Sequence, residues 1–197
     1  ARVTGTVTYR ERVALPPTAV IKVQLVDVSR ADAPAIVIGE QVTLAGGKLR
    51  RVSVADGSMQ ALADAPDARG GSWSVDGDIV YQPAADGPLM HVRAAGGEVH
   101  AVTVVDTANG EDTHRFPCFL PDGKHFLFVT LPAKQGKFDV FVGSIDSEER
   151  KFLFAANNAP VYAEPGYLLY MRENTLVAQR FDADRLATID DPVSLGE

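Results

Sequence analysis

The chain has 197 residues, of which 46% are hydrophobic and 23% charged, so it can bury a core and is not expected to be disordered. Its formal net charge is −7, and residues 48–197 contribute 14 basic and 22 acidic side chains to it. This acidic balance argues against nucleic acid as a partner, because a phosphate backbone needs a basic face. No apolar run reaches the length of about 18 residues that a transmembrane helix requires. The single cysteine, Cys118, excludes an internal disulfide and is predicted to be a small buried hydrophobic residue.

The first 47 residues predict a three-stranded antiparallel β-meander. Three runs are rich in β-branched residues, namely Val3–Tyr9, Val20–Val26 and Ala35–Leu44. Turn-prone stretches separate them, one around Pro16 and Pro17 and one between residues 27 and 34.

Two stretches of this segment carry a resemblance to a known family. They are Gly5-Thr-Val-Thr-Tyr-Arg-Glu-Arg-Val-Ala-Leu-Pro-Pro17 and Val23-Gln-Leu-Val-Asp-Val-Ser-Arg-Ala-Asp-Ala-Pro34. The segment resembles the first half of a YbaY/YscW-type lipoprotein domain, a family that implies a small β-sandwich of the bacterial envelope without catalysis. The second half of that sandwich does not follow, so we expect these strands to pair with the next segment or with another chain.

From Lys48 onwards a strand-and-turn signature recurs. It ends in Asp76-Gly77, Asp122-Gly123 and Pro165-Gly166, with the glycines 46 and then 43 residues apart, and an apolar strand follows each time. Such tight turns need a positive φ, which glycine adopts without steric cost. A period of this size in an all-strand sequence is typical of β-propeller blades, which have about 40–50 residues each.

The fold prediction is therefore all-β, with about three and a half four-stranded propeller-type blades after an N-terminal β-sandwich-like segment. We place the domain boundary between residues 1–47 and residues 48–197. The half unit covers residues 49–62, and the full units cover residues 71–105, 116–154 and 161–195.

The repeats also resemble a known group. Arg69-Gly-Gly-Ser-Trp-Ser74, Thr113-His-Arg-Phe-Pro-Cys-Phe-Leu-Pro-Asp-Gly-Lys-His-Phe-Leu-Phe128 and Pro165-Gly-Tyr-Leu-Leu-Tyr170 are similar to the TolB-like, WD-type propellers found behind bacterial serine/threonine kinases. The resemblance implies a sensor or protein-binding module that closes a ring from more blades than this chain supplies. We therefore expect an incomplete ring or one closed by dimerisation through uncovered β edges. The join near residue 47 predicts a fusion or truncation of two family fragments.

The resemblance to closed propellers places the first strand of each blade along the central channel. On that basis Arg69, Trp73, His114 and Arg115 are candidate residues for binding a ligand or partner. The alternative is that Trp73 belongs to the core, while Arg69 pairs with Asp67 and Arg115 pairs with Glu111 as ordinary salt bridges.

The densest polar stretch runs from Asp106 to His114. The side chains of Asp106, Asn109, Glu111 and Asp112 offer hard oxygen ligands of the kind that calcium prefers, and His114 is a candidate base nearby. Their spacing fits no defined calcium loop, and a solvated loop between blades explains the same residues.

Two functions remain open at this point. The first is a non-enzymatic protein- or ligand-binding module of the bacterial periplasm or cell envelope, with no cofactor, and with a cytoplasmic location left open. The second is a calcium-dependent hydrolase, a lactonase or esterase, that uses His114 and Asp112. Both rest on fold-level analogy.

Overall fold

A computed structural model describes residues 26–27, 36–37, 40–45, 47–53, 56–134 and 137–196. The chain forms two compact units, residues 1–64 and residues 65–197. The regular secondary structure of the described residues is β-strand, apart from one short 3-10 helix at Thr107–Asn109. In these ranges no helix has the length and apolar character needed to cross a membrane.

The first unit contains a two-stranded and a three-stranded antiparallel sheet. In the smaller sheet β1 (Val26–Asp27) pairs with β2 (Ile36–Val37), and in the larger one β3 (Glu40–Ala45), β4 (Lys48–Ser53) and β5 (Met59–Asp64) follow in chain order. The pairing of β3 with β4 confirms that a strand of the N-terminal segment pairs with the sequence that follows. The predicted strand Val3–Tyr9 and most of Val20–Val26 lie outside the described residues, and the domain boundary at residue 47 stays a prediction.

The second unit consists of three four-stranded antiparallel sheets, each with its strands in chain order. Sheet A contains β6 (Gly71–Trp73), β7 (Asp78–Tyr81), β8 (Met90–Arg93) and β9 (His100–Ala101). Sheet B contains β10 (Thr113–Phe119), β11 (His125–Lys134), β12 (Lys137–Ser144) and β13 (Ser147–Ala156). Sheet C contains β14 (Val161–Ala163), β15 (Tyr167–Arg172), β16 (Thr175–Asp182) and β17 (Ala187–Gly196). With the three-stranded sheet of the first unit, they confirm the prediction of about three and a half blades.

The recurring turn has the same hydrogen bond in all three sheets. Gly77, Gly123 and Gly166 have φ values of 85°, 70° and 120°. Their amides donate to the carbonyls three residues earlier, of Ser74, Leu120 and Ala163, at 3.3, 3.1 and 3.1 Å. The sequence period therefore reports one turn geometry, and the positive φ explains why glycine recurs in it.

Sheet B lies between two hydrophobic clusters because β11 is buried on both faces. Phe126 and Phe128 pack against Val80 of β7, Leu89 just before β8 and Val102 just after β9. Leu127 and Val129 point the other way and pack with a cluster that includes Leu168, Tyr170 and Val177 of sheet C. All four β11 side chains are completely buried. The alternation follows from the two-residue period of a strand.

A glycine of β12 makes room for the aromatic side of this packing. Gly143 lies opposite Phe126 in the sheet, and a Cβ atom there would be 3.2 Å from the rings of both Phe126 and Phe128. Since both rings are fully buried, they have no space to retreat.

We therefore predict that Gly143→Val lowers the free energy of unfolding by about 2 kcal/mol, because it overpacks a filled site. Urea denaturation followed by circular dichroism measures the change. Glu148→Val, on the exposed part of β13, is the control and is expected to change stability by no more than about 0.5 kcal/mol. Equal stability of the two variants would contradict this packing.

Candidate functional site

A cleft of about 470 Å³ lies at one end of the strands of sheets A and B. In an antiparallel meander of four strands, the second and fourth strands end on the same side of the sheet. The connection from the second to the third strand and the connection to the next sheet therefore lie close together. The cleft is formed by the connections that follow β7 and β9, by the start of β10 and by the last part of β11. Its lining residues are Ala85, Asp86, Thr107, Glu111, Asp112, Thr113, Arg115, Leu131 and Pro132.

A chain of buried hydrogen bonds lies beneath the cleft. The amide of Leu89 donates to Thr103 Oγ1 at 2.9 Å, and Thr103 Oγ1 lies 2.8 Å from His114 Nδ1. His114 Nε2 lies 3.1 Å from Glu111 Oε2. Nε2 also lies 3.1 Å from Arg150 Nη1, which donates to the same carboxylate oxygen. A neutral imidazole that carries its proton on Nε2 donates to Glu111 and accepts from the threonine hydroxyl at Nδ1. The His114 side chain is fully buried and both ring nitrogens are engaged.

The Glu111 carboxylate connects these buried hydrogen bonds to the positively charged Arg150. Its Oε2 accepts from Arg150 Nη1 at 2.8 Å and from the Asp106 amide at 2.9 Å, in addition to His114. Burial by itself raises the pKa of the Glu111 carboxyl, but the hydrogen bonds from Arg150, Asp106 and His114 outweigh it and lower that pKa to about 2. Burial also lowers the pKa of the His114 imidazole, and its hydrogen bond to Glu111 offsets this only in part. The floor of the cleft therefore holds an ionised glutamate and a neutral histidine.

The wall of the cleft formed by residues 82–87 is tied to β10. The fully buried Gln82 donates from Nε2 to the carbonyls of Asp86 and Gly87 at 3.0 and 3.2 Å and to Thr113 Oγ1 at 2.7 Å. Arg115 Nη2 donates to the Ala85 carbonyl at 2.6 Å. A side chain from each side of the cleft therefore donates a hydrogen bond to the other side.

The rim of the cleft is acidic. The side chains of Asp86 and Asp112 are exposed there, whereas Glu111 is compensated by Arg150. Arg115 is the cationic residue of the lining, and one of its nitrogens is held by the Ala85 carbonyl. The rim therefore favours a ligand that brings a positive charge and hydrogen-bond donors.

The structure separates the four residues predicted to bind a ligand or partner. Arg115 lines the cleft and His114 lies buried behind it, whereas Arg69 and Trp73 are not among the lining residues. Arg69 pairs with Asp67 at 2.7 Å, as the alternative interpretation predicts, and Trp73 is half-buried on β6. The predicted pair of Arg115 with Glu111 is wrong, because Arg150 occupies that carboxylate.

The residues of the calcium alternative do not converge on one point. Asp106 accepts from the backbone amide and the side-chain amide of Asn109 at 3.2 and 2.6 Å, which caps the short helix. Glu111 turns inwards to Arg150, while Asp112 is exposed at the rim. Within the described ranges, no three acidic, histidine or cysteine side chains converge as a metal site would require. The calcium site stays a prediction.

Three residues of the site were not predicted from the sequence. Gln82, Thr103 and Arg150 are ordinary strand or loop residues there, and Arg150 meets Glu111 across 39 positions of sequence. For Gln82 the sequence does hold one hint, because this polar residue directly follows the apolar strand Ile79-Val80-Tyr81. A polar residue at the end of a buried strand indicates a specific hydrogen-bonding role.

Comparisons with known proteins found similarities for both the N-terminal segment and the propeller-like repeats. Residues 1–50 match the YscW family, described as a type III secretion system lipoprotein chaperone. A search among the curated proteins found no match. Among solved structures, the chain is similar to a putative TolB from Agrobacterium tumefaciens, with 20% identity and a TM-score of 0.58 over 77% of this chain and 58% of that one.

Two further solved structures are similar. TolB from Acinetobacter baumannii has 16% identity and a TM-score of 0.53, over 72% of this chain and 36% of that one. An oligogalacturonate lyase in complex with manganese has 13% identity and a TM-score of 0.56, over 72% and 41%. The chain thus spans between 36% and 58% of the length of these three relatives. Together these findings show a TolB-like β-propeller fold that follows a YscW-like segment.

The lowered pKa of Glu111 predicts how stability depends on pH. A carboxyl with a folded-state pKa near 2 and an ordinary value of 4.5 stabilises the fold above pH 4.5 and loses that contribution as the pH falls towards 2. We therefore expect Glu111→Gln to be destabilising at pH 7 and progressively less so towards pH 2.5. Unfolding free energies across this range test it, with Glu148→Gln as the exposed control for the loss of one charge. A Glu111→Gln penalty that is constant with pH would contradict the ion pair.

Proposed function

We propose that this protein is a non-enzymatic, protein-binding β-propeller module of the bacterial cell envelope, and that its cleft receives a polypeptide segment carrying a lysine or arginine side chain. The observation that carries the proposal is the cleft between sheets A and B, with its fixed walls and acidic rim.

The size and rigidity of the cleft support a binding role. Its volume of about 470 Å³ falls within the range of about 300–1,000 Å³ that is usual for specific ligand sites. Gln82 and Arg115 hold the two walls at a fixed separation. A site that is already ordered loses less conformational entropy when it binds, so more of the contact energy appears as affinity.

The charges of the rim support a cationic side chain as the group that binds. Asp86 and Asp112 offer two exposed carboxylates to a ligand. Hydrogen bonds between an ammonium or guanidinium group and a carboxylate are about twice as strong as those between neutral groups. The net charge of −7 also steers a basic partner towards the protein during diffusion.

The floor of the cleft supports binding over hydrolysis. His114, the candidate base, is fully buried; Nδ1 faces Thr103, and Nε2 faces Glu111 and Arg150. A general base must reach the proton that it removes within hydrogen-bonding distance. The hydrogen-bonded position of His114 suits a residue that orders the loop.

The envelope location and the protein partner rest on the comparisons. A family described as a lipoprotein chaperone matches residues 1–50, and TolB proteins share the fold. A chaperone acts on other proteins, which supports a polypeptide over a small molecule as the occupant. The predicted homo-oligomer through β edges remains a prediction beside this proposal.

Fluorescent peptides that differ only at a central position, as lysine, leucine or glutamate, test the proposal by anisotropy. We expect the lysine peptide to bind and the other two to bind at least about tenfold more weakly, since one charge-assisted hydrogen bond is worth roughly 1.4 kcal/mol or more. Asp112→Asn and Asp86→Asn should each weaken the lysine peptide by a similar factor.

Glu148→Gln removes one negative charge outside the cleft and should bind as the wild type does. Equal binding of the three peptides, or equal loss in Glu148→Gln and Asp112→Asn, would contradict the proposed site. Binding of spermidine without binding of any peptide would redefine the occupant as a small polyamine and overturn the protein-binding role.

A further inference from the structure

A second polar cluster lies in sheet A, away from the residues that line the cleft. His91, on β8, places Nε2 2.7 Å from Asp78 Oδ1 of β7. Arg93 donates from Nη1 to both oxygens of the same carboxylate at 2.9 Å. Asp78 and His91 are only 3% and 7% exposed. The charge of Asp78 is therefore compensated by Arg93, while its Oδ1 holds one nitrogen of the histidine.

The other nitrogen of His91 has no hydrogen-bond partner among the described residues. Nδ1 is a buried side-chain atom without one. An ionised carboxylate only accepts hydrogen bonds, so the proton of a neutral His91 ring belongs on Nε2, facing Asp78. Nδ1 then carries a free lone pair. An unsatisfied buried acceptor is costly, so native structures rarely keep one without a reason.

The order of the strands shows where that lone pair points. β8 lies between β7 and β9, and the two nitrogens of an imidazole point away from each other. Because Nε2 faces Asp78 on β7, Nδ1 faces β9. There His100 is paired directly opposite His91, and the two ring centres are 4.8 Å apart at an angle of 53°.

This ring spacing suits two imidazoles on one metal ion. Two rings that each place a nitrogen about 2.0–2.1 Å from a zinc ion, at roughly the tetrahedral angle, have centres about 5 Å apart. His100 is exposed, so water has access to the remaining coordination positions. Imidazole nitrogens select zinc, copper and nickel over the hard cations calcium and magnesium.

We propose that His91 Nδ1 and His100 form a two-histidine site for a divalent transition-metal ion such as Zn²⁺ or Cu²⁺, completed by water. Asp78 acts as the outer partner that fixes the orientation of His91, as carboxylates commonly do for metal-bound histidines. The ion links β9, an edge strand of two residues, to the buried His91 of β8. Its structural effect is to fasten the edge of sheet A.

Metal binding to the full chain, after treatment with EDTA, tests the site. Titration calorimetry with ZnSO₄ is expected to give one ion per chain, and the melting temperature should rise with Zn²⁺ but not with CaCl₂. With one equivalent of Cu²⁺, electron paramagnetic resonance should show nitrogen ligands. Since Cu²⁺ binds nitrogen donors more tightly than Zn²⁺ does, its affinity should be the higher of the two.

His100→Ala is the decisive variant, because the side chain is exposed and its loss leaves the pair of His91 and Asp78 in place. We expect it to weaken Zn²⁺ at least about tenfold and to remove the metal-dependent rise in melting temperature. His125→Ala, which removes a histidine that faces Asp122 in another turn, should bind as the wild type does. Asp78→Asn should weaken the ion by about 10–100-fold if it folds.

Wild-type affinity in His100→Ala, or an equal loss in His125→Ala, would overturn the site. So would the absence of any Zn²⁺ or Cu²⁺ binding by the wild-type chain. None of these results depends on the peptide experiments on the cleft.

Discussion

The burial of both faces of sheet B is the constraint on which the second unit depends. Sheet B carries apolar side chains on both faces, so a cover on one face only would leave an apolar surface in water. Small isolated sheets are also marginal in water. The side chains of β11 alternate between the two faces. Phe126 and Phe128 belong to the cluster with sheet A, and Leu127 and Val129 belong to the cluster with sheet C. That packing positions sheet A against sheet B, and the cleft at the ends of their strands follows from it.

The polar floor of the cleft is built onto the same aromatic layer. The His114 ring lies 4.9 Å from that of Phe128, and the Arg150 guanidinium lies 4.5 Å from the centre of the Phe141 ring. Phe141 in turn stacks on Phe128 at 5.7 Å. A change in the aromatic packing therefore reaches the ion pair with Glu111, which holds the loop at the rim. Stability and site geometry are coupled through contacts of a few side chains.

Local features of the sequence predicted the fold well, and long-range polar contacts escaped prediction. Gly77, Gly123 and Gly166 reveal the repeat because a turn is specified by neighbouring residues. The stretch from Asp106 to His114 was singled out by its polarity, and part of it does border the cleft. The pairing of Glu111 with Arg115 failed because successive side chains of a strand point to opposite faces, so that His114 faces the buried carboxylate and Arg115 faces the Ala85 carbonyl. Arg150 lies on β13, and no spacing in the sequence predicts its contact with Glu111.

Hydrogen exchange of the backbone amides tests most directly whether the cleft is preformed by its buried floor. The amide of Asp106 donates to the Glu111 carboxylate, that of Asp112 to the Leu131 carbonyl at 2.7 Å, and that of His114 to the Gly87 carbonyl at 3.1 Å. We predict that these three amides exchange about as slowly as those of the buried strand β11 in the wild type, and much faster in Arg150→Ala. Exchange of Asp106 and Asp112 at the rate of an exposed loop in the wild-type protein would contradict a preformed cleft.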